Sequence, residues 1–182
     1  MAGGGRPLLI VVSGPAGAGK TTLAHALAGR VGCPAICRDE IKEGMAHATP
    51  GFAAAPGDPL TLRTLPAFFG VLRLLLESGV TTVAEAAFQD HVWRPRLEPL
   101  RPLAELRIVH CVVPDDVAAA RRARRTADVP TRRAHADAQG AVTPSAFRRP
   151  SLDAPAIEVD TSDGYLPDLD DIVAFINRRT NR

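Results

Sequence analysis

Cysteine is scarce: Cys33, Cys37 and Cys111 are the only three in 182 residues. They are too few and too irregularly spaced for a disulfide framework, and Cys-x3-Cys without further Cys or His partners is a poor zinc signature. All three read as small buried hydrophobes. Aromatic residues make up only 4% of the chain, which argues against a row of stacking platforms for single-stranded nucleic acid. Neither sign of charge prevails: 22 basic against 20 acidic residues leave a net +2. That balance is wrong for a protein tracking phosphates along a groove, so duplex nucleic acid is not an expected partner. No apolar run approaches the roughly 18 residues needed to cross a bilayer, so no membrane span is expected. Met1 to Pro7 carries one arginine and three glycines ahead of an apolar stretch of six. That is not the build of a secretory signal, and a cytoplasmic address follows. Lysine is the last shortage, since 20 of the 22 basic residues are arginine and only Lys20 and Lys42 are lysine. The two types differ where a compact point charge must meet a phosphate.

What remains is an ordinary globular composition, 46% hydrophobic and 23% charged, of a length that fits one domain with one core. The run Leu8 to Ser13, LLIVVS, is continuous and rich in branched side chains, as in a strand buried on both faces of a parallel sheet. Similar runs follow at Ala35 to Cys37, Thr81 to Ala84, Arg107 to Val113 and Ala156 to Val159. Between them Thr22 to Val31, Leu65 to Glu77 and Asp115 to Arg125 have helical spacing. Strands alternating with helices predict an α/β three-layer fold with a parallel sheet of about five strands. Leu65, Phe68, Phe69, Leu72, Leu75 and Leu76 fall on one helical stripe that stops at Gly79. Ahead of it, Thr49 to Pro59 holds three prolines and two glycines and predicts an irregular loop able to shape a pocket.

Gly14-Pro15-Ala16-Gly17-Ala18-Gly19-Lys20-Thr21 satisfies G-x4-G-K-[ST] directly after the first strand and directly before a helix. In that setting Gly14, Ala16, Gly17, Ala18, Gly19, Lys20, Thr21 and Thr22 form a nucleotide-binding loop. Backbone N–H groups converge on phosphate oxygens, and the helix N-terminus adds a favourable field. Lys20 reaches the β and γ phosphates, and the Thr21 hydroxyl ligates Mg²⁺. After the second strand, Asp39 stands where ligands gather in open α/β sheets, with Lys42 one turn later. Asp39 can accept the proton of an acceptor hydroxyl, with Lys42 holding acceptor or phosphate charge. The plainer reading is that Asp39 caps the helix Glu40 to Ala46. Glu85 ends the third strand among apolar neighbours and needs a partner. It serves a magnesium water, an acceptor hydroxyl, or a structural ion pair with an arginine such as Arg94. Phe88 and Trp93 either wall an acceptor pocket or belong to the core.

These residues resemble the small P-loop kinases, a group including the kinase domain of bacteriophage polynucleotide kinase, chloramphenicol phosphotransferase, zeta toxins, gluconate kinases and AAA-type predicted kinases. The resemblance rests on the P-loop and on the string Arg38-Asp39-Glu40-Ile41-Lys42, and spans about Leu8 to Phe175. It implies a kinase domain over 1–182, with an acceptor-side segment at about 39–79 and a lid at about 121–140. It implies Asp39 as general base, and Lys42 as a contact to an acceptor phosphate. In the helix after the fourth strand, Arg121 and Arg125 share a face at i and i+4. By the same resemblance Arg121 packs on the nucleotide base and Arg125 clamps the transferring phosphate. Arg122 and Arg124 read as a solvated face paired to Asp115 and Asp116, while Arg132, Arg133 and His135 follow Pro130 as candidates to complete the lid, with nothing in their spacing to single one out. The implied activity is Mg²⁺-dependent transfer from ATP or GTP to a small-molecule hydroxyl, with Asp39, Lys20 and Arg125 catalytic. The acceptor side is Asp39, Lys42, Glu85 and Phe88. An antibiotic is one candidate acceptor; a polynucleotide or nucleoside 5′-hydroxyl, or a nucleotide switch with no acceptor, are the alternatives. The protein is expected as a monomer or homodimer.

Overall fold

The computed structural model describes residues 5–128, 134–135 and 143–178, and the side chains of 125–128 lie outside that description. Five strands, β1 (Leu8–Ser13), β2 (Ala35–Cys37), β3 (Thr82–Ala86), β4 (Glu105–Val112) and β5 (Ala156–Asp160), form one sheet in the order β2-β3-β1-β4-β5. Every pairing is parallel. Around them lie α1 (Lys20–Val31), α2 (Arg38–His47), α3 (Pro59–Glu77), α4 (Asp90–Leu97), α5 (Asp115–Asp128) and α6 (Leu169–Asn177). The expected α/β architecture is present.

The two-residue period of a strand splits the core. Ile10 and Val12 pack with Leu23 and Leu27 of α1 and with Ile172 and Ile176 of α6. Leu9 and Val11 face the other way, onto Phe68, Leu72 and Leu76 of α3 and Trp93 and Leu97 of α4. With both sheet faces covered, the central strands read as unbroken apolar runs. β1 connects through α1 to β2 on one side of it, whereas β3 connects across to β4 on the other, so the winding reverses beside β1 and the loop after it sits at the topological switch point, where open α/β sheets take ligands.

Two elements differ from the expected ones. Helix α3 begins six residues early, at Pro59, because Asp58 caps it: its carboxylate accepts the Thr61 N–H at 2.8 Å. Proline at the first helical position loses nothing, as its missing N–H would be unpaired there. Although α3 is apolar and long enough to pass for a membrane span by composition, Leu60, Phe68, Leu72 and Leu76 are buried against the protein itself. Helix α4 was not expected, since Asp90 to Leu97 is short and contains Pro95.

Lys42 has a partner that its spacing from Asp39 did not indicate: its ammonium is buried on Asp58, 2.7 Å from Oδ2, with 3% and 2% of the two side chains exposed. The pair joins α2 to the cap of α3 across the loop between them. Burial pulls the Asp58 carboxyl upward, but the Lys42 hydrogen bond and the Thr61 N–H outweigh it and hold it at about 2. A folded pKa depressed below the unfolded value, roughly 3.9, contributes stability that is complete above that value. It is lost as pH falls from about 4 to about 2, and one pair of this size is worth about 2 kcal/mol. We expect Asp58→Asn to keep the cap yet destabilise by about 3 kcal/mol at pH 7, because the Lys42 charge stays buried without its counter-ion. Urea midpoints of the two proteins should converge as pH drops below 4. A gap independent of pH would show that the ion pair does not supply the stability.

Candidate active site

The loop between β1 and α1 is built on backbone freedom. Gly17 and Gly19 have φ of 87° and 67°, a region that side chains rarely enter. Gly17 has no room either, since an added Cβ would lie 2.5 Å from the carbonyl oxygen of Ala118. The chain therefore folds into a tight cradle at the start of α1, whose first turn holds no acidic residue to compete for its N–H groups. Thr161, after β5, fastens the cradle from outside by donating its hydroxyl to Ala18 O at 3.1 Å.

Lys20 and Thr21 converge on one carboxylate. The Lys20 ammonium donates to Pro15 O at 2.9 Å and lies 3.8 Å from Glu85 Oε1, while the Thr21 hydroxyl donates to Glu85 Oε2 at 3.2 Å. Glu85 is 3% exposed. Of the readings open for it, the ion pair with Arg94 is absent, since Arg94 instead lies 3.6 Å from Asp90. A carboxylate beside the Thr21 hydroxyl is oxygen-donor chemistry of the kind a hard divalent cation takes. The donor set and the glycine cradle fit a magnesium nucleotide.

Asp39 arrives from the neighbouring strand. Glu85 is in register with Val12 of β1 on one side and with Cys37 of β2 on the other, and Asp39 follows Cys37 by two residues. Strands in a sheet lie roughly 4.8 Å apart, so the cradle, Glu85 and Asp39 occupy successive strand ends of one edge. The cap of α2 is Cys37, and Asp39 sits inside the first turn, so capping is not its role. Its carboxylate accepts from Arg38 Nη1 at 3.0 Å and lies 4.0 Å from His135 Nδ1.

Among the described residues, four buried polar atoms on the α3/α4 side of this edge have no hydrogen-bond partner: Ser13 Oγ, Arg38 Nε, Trp93 Nε1 and His110 Nδ1. Ser13 is in register with His110 and with Ala86, and the Arg38 guanidinium lies 6.0 Å from the Phe88 ring. Trp93 is fully buried among Phe68, Phe69 and Phe88, with centroids 5.3 to 5.9 Å away. It is core, whereas Phe88 stands at the margin. Burial above all holds His110 down to about 4, so its ring is neutral at pH 7. Orphaned polar atoms are costly unless a ligand or solvent meets them.

Across α5, Arg121 donates to Thr161 O at 2.6 Å and Ser162 O at 2.9 Å, tying the helix to the loop after β5. Arg122 is a correction: rather than pairing with Asp115 and Asp116, it donates to Ala16 O in the cradle at 3.0 Å. Asp115 instead accepts from the Ser145 backbone and hydroxyl. The side chain of Arg125, and the whole of Arg132 and Arg133, lie outside the described residues. The sequence offered no signal for Thr161, whose partners are distant in the chain. For Asp58 the signal was legible, an Asp directly before a proline that opens a helix.

A cavity of about 650 Å³ bordered by Arg6, Arg101 and Arg107 lies at the amino-terminal edge of the sheet, opposite these groups. All three cysteines are free, and burial raises the thiols of Cys33 and Cys37 and carries Cys111 up to about 12. They are inert packing groups.

A family model described as an AAA domain matches residues 9–144. Among curated proteins none matches the chain. A provisionally named kinase from Chloroflexus aurantiacus has 23% identity and a TM-score of 0.82, over 97% of this chain and 100% of that one. A gluconokinase from Sinorhizobium meliloti has 22% identity and a TM-score of 0.59, over 94% and 92%. The APS kinase of Mycobacterium tuberculosis, solved with AMPPNP and APS, has 12% identity and a TM-score of 0.66, over 95% and 99%. The fold is the P-loop kinase fold.

Proposed function

This chain belongs to the AAA-domain family, and from that premise we propose that it is a phosphotransferase moving the terminal phosphoryl group of ATP or GTP to a hydroxyl of a small molecule. The observation that carries the reading is the shared edge, where a phosphate cradle with its Lys20–Glu85–Thr21 cluster stands two strands from an acid that does not cap its helix. Cradle and lysine hold the β and γ phosphates. Thr21 and Glu85 would hold Mg²⁺, directly or through its water. The ion supplies charge neutralisation between the phosphate oxygens. Asp39 takes the proton of the acceptor hydroxyl, Arg121 borders the nucleotide base, and Arg125 meets the transferring phosphate. The orphaned polar atoms of Ser13, Arg38 and His110, with Phe88, support an acceptor pocket for a compact hydroxylated molecule carrying hydrogen-bonding groups and an apolar face. An antibiotic fits that description, and the likeness in size and layout to chloramphenicol phosphotransferase supports it.

A polynucleotide 5′-kinase loses its main support, because Lys42 is buried on Asp58. The test is nucleoside diphosphate release in a coupled assay over sugars and polyols, nucleosides, hydroxylated antibiotics and 3′-phosphorylated oligonucleotides. We expect a small hydroxylated compound to raise release at least tenfold over basal hydrolysis, with the phosphate recovered on that compound. Hydrolysis at its full rate with no acceptor, unchanged by every class, would make the protein a nucleotide switch instead.

A further inference from the structure

We infer that His25, Cys37 and Glu40 form a site for a borderline-soft divalent cation of the Zn²⁺ type, one strand away from the oxygen donors of Thr21 and Glu85. The inference goes beyond the phosphotransferase reading and does not depend on it.

One turn of helix and the sheet register together create the site. Thr21 and His25 stand at i and i+4 of α1, on a single face. Against that face Glu85 of β3 is in register with Cys37 of β2, and Cys37 belongs to the core cluster on the α1 side of the sheet. Two parallel rungs therefore join α1 to the strand ends. In the first, the Thr21 hydroxyl meets Glu85 at 3.2 Å; in the second, His25 Nε2 meets Cys37 Sγ at 3.8 Å. Glu40, in the first turn of α2, completes the second rung with its Oε1 2.6 Å from the same ring nitrogen. The three donor atoms lie within 4.8 Å of one another, and no other three His, Cys, Asp or Glu side chains converge in this way among the described residues. The side chains of His25 and Glu40 are half exposed, whereas Cys37 is buried. A cation thus reaches the cluster from solvent on its nitrogen and oxygen side.

The donor set decides which cation fits. One thiolate, one imidazole and one carboxylate, with a fourth position for water, suit Zn²⁺, whereas Mg²⁺ takes oxygen ligands alone. In tetrahedral zinc geometry the sulfur and nitrogen ligands stand roughly 3.5 Å apart, and the nitrogen and oxygen ligands roughly 3.3 Å. The observed sulfur–nitrogen separation of 3.8 Å is already close to that. Glu40 has to withdraw from His25 by less than about 1 Å to satisfy zinc bond lengths, and its exposure leaves it free to do so. As a thiol Cys37 is inert, its proton held by burial and by the carboxylates of Glu85, Glu40 and Asp39. A bound cation reverses that state. The S–H bond breaks, sulfur keeps the electron pair and bonds the metal, and the proton passes to solvent. The imidazole binds as the neutral ring through Nε2. Thiolate and carboxylate then offset the double positive charge, so no net charge is left at the buried sulfur. Cysteine spacing did not mark the site, because the partners of Cys37 are a histidine 12 residues earlier on another helix and a glutamate.

Co²⁺ takes the same ligands as Zn²⁺ and is coloured, so titration of the untagged protein with Co²⁺ tests the site without an activity assay. One equivalent should give the visible bands of tetrahedral cobalt and a near-ultraviolet thiolate-to-cobalt band. Zn²⁺ should abolish both, and excess Mg²⁺ should leave both intact. Cys37→Ser should remove the thiolate band, while Cys33→Ser and Cys111→Ser retain it. His25→Ala and Glu40→Gln change half-exposed side chains, so both proteins should fold. Each should weaken Co²⁺ binding at least about tenfold, the least that loss of a direct ligand is expected to cost. Absence of the thiolate band at one equivalent, or its survival in Cys37→Ser, would overturn the inference. Unchanged affinity in either His25→Ala or Glu40→Gln would overturn it as well, by leaving Cys37 without the partners that make a site.

Discussion

Lys20→Ala should reduce phosphoryl transfer by at least about a thousandfold and weaken nucleotide binding as well. The geometry makes the residue hard to replace. Its ammonium is held within the cradle by Pro15 O at 2.9 Å, only 7% of the residue is exposed, and the nearest carboxylate, Glu85, is 3.8 Å away. A charge so pre-placed costs no reorganisation when negative charge shifts across the β and γ oxygens, which is the condition under which electrostatic stabilisation is largest. Removal of one such group commonly costs about two to three orders of magnitude, and a full positive charge should cost at least the upper figure. Lys20→Met is the companion variant, since it keeps the packing of the stem. Thr21 still donates to Glu85 in both variants, so the fold should persist. Thermal melts within a few degrees of the parent would confirm that the loss is chemical. If both purified variants turned over as fast as the parent, the cradle would not be the nucleotide site.

How much of this could be read from the chain depends on distance along it. The cradle was legible because every group in it falls within eight consecutive residues, and its strand-turn-helix setting is equally local. β1 was legible because burial on both faces leaves no polar position to confuse the period. By contrast α4 carries Pro95 inside eight residues, so its periodicity is too short to register against a helix breaker. The true start of α3 was hidden behind the prolines of the loop before it, although the Asp58-Pro59 pair marks it once the cap is considered.

On the acceptor side sequence spacing gave positions but not partners. Lys42 lies one turn after Asp39, and that spacing alone is compatible with a shared face. The structure turns the side chain onto Asp58, 16 residues away, because a buried ammonium is stable only beside a carboxylate with the right geometry. Glu85 needed a partner, and the partner proved to be the Lys20–Thr21 pair 64 residues earlier rather than an arginine nearby. His135 and Thr161 act across still longer separations. Contacts of this kind are set by strand order, which no local pattern carries.

Asp39→Asn separates an acceptor-phosphorylating enzyme from a nucleotide switch. The substitution preserves shape, and it leaves the α2 cap untouched because that position is Cys37. The amide oxygen can still accept from Arg38 Nη1, the 3.0 Å contact of the parent. What it cannot do is take up a proton. Transfer to the acceptor should therefore fall by about two to four orders of magnitude, the contribution of a positioned general base. Nucleotide affinity should stay within about threefold, since the contacts described for Asp39, to Arg38 and His135, do not involve the cradle. Basal hydrolysis with water should change far less than transfer, because a bound hydroxyl placed against Asp39 gains more from the base than a mobile water does. A variant that lost stability while keeping its specific activity per folded molecule would reduce Asp39 to a structural partner of Arg38 and His135. A variant that lost hydrolysis and transfer in equal proportion would instead place Asp39 on the nucleotide. Only the selective loss of transfer assigns it to the acceptor.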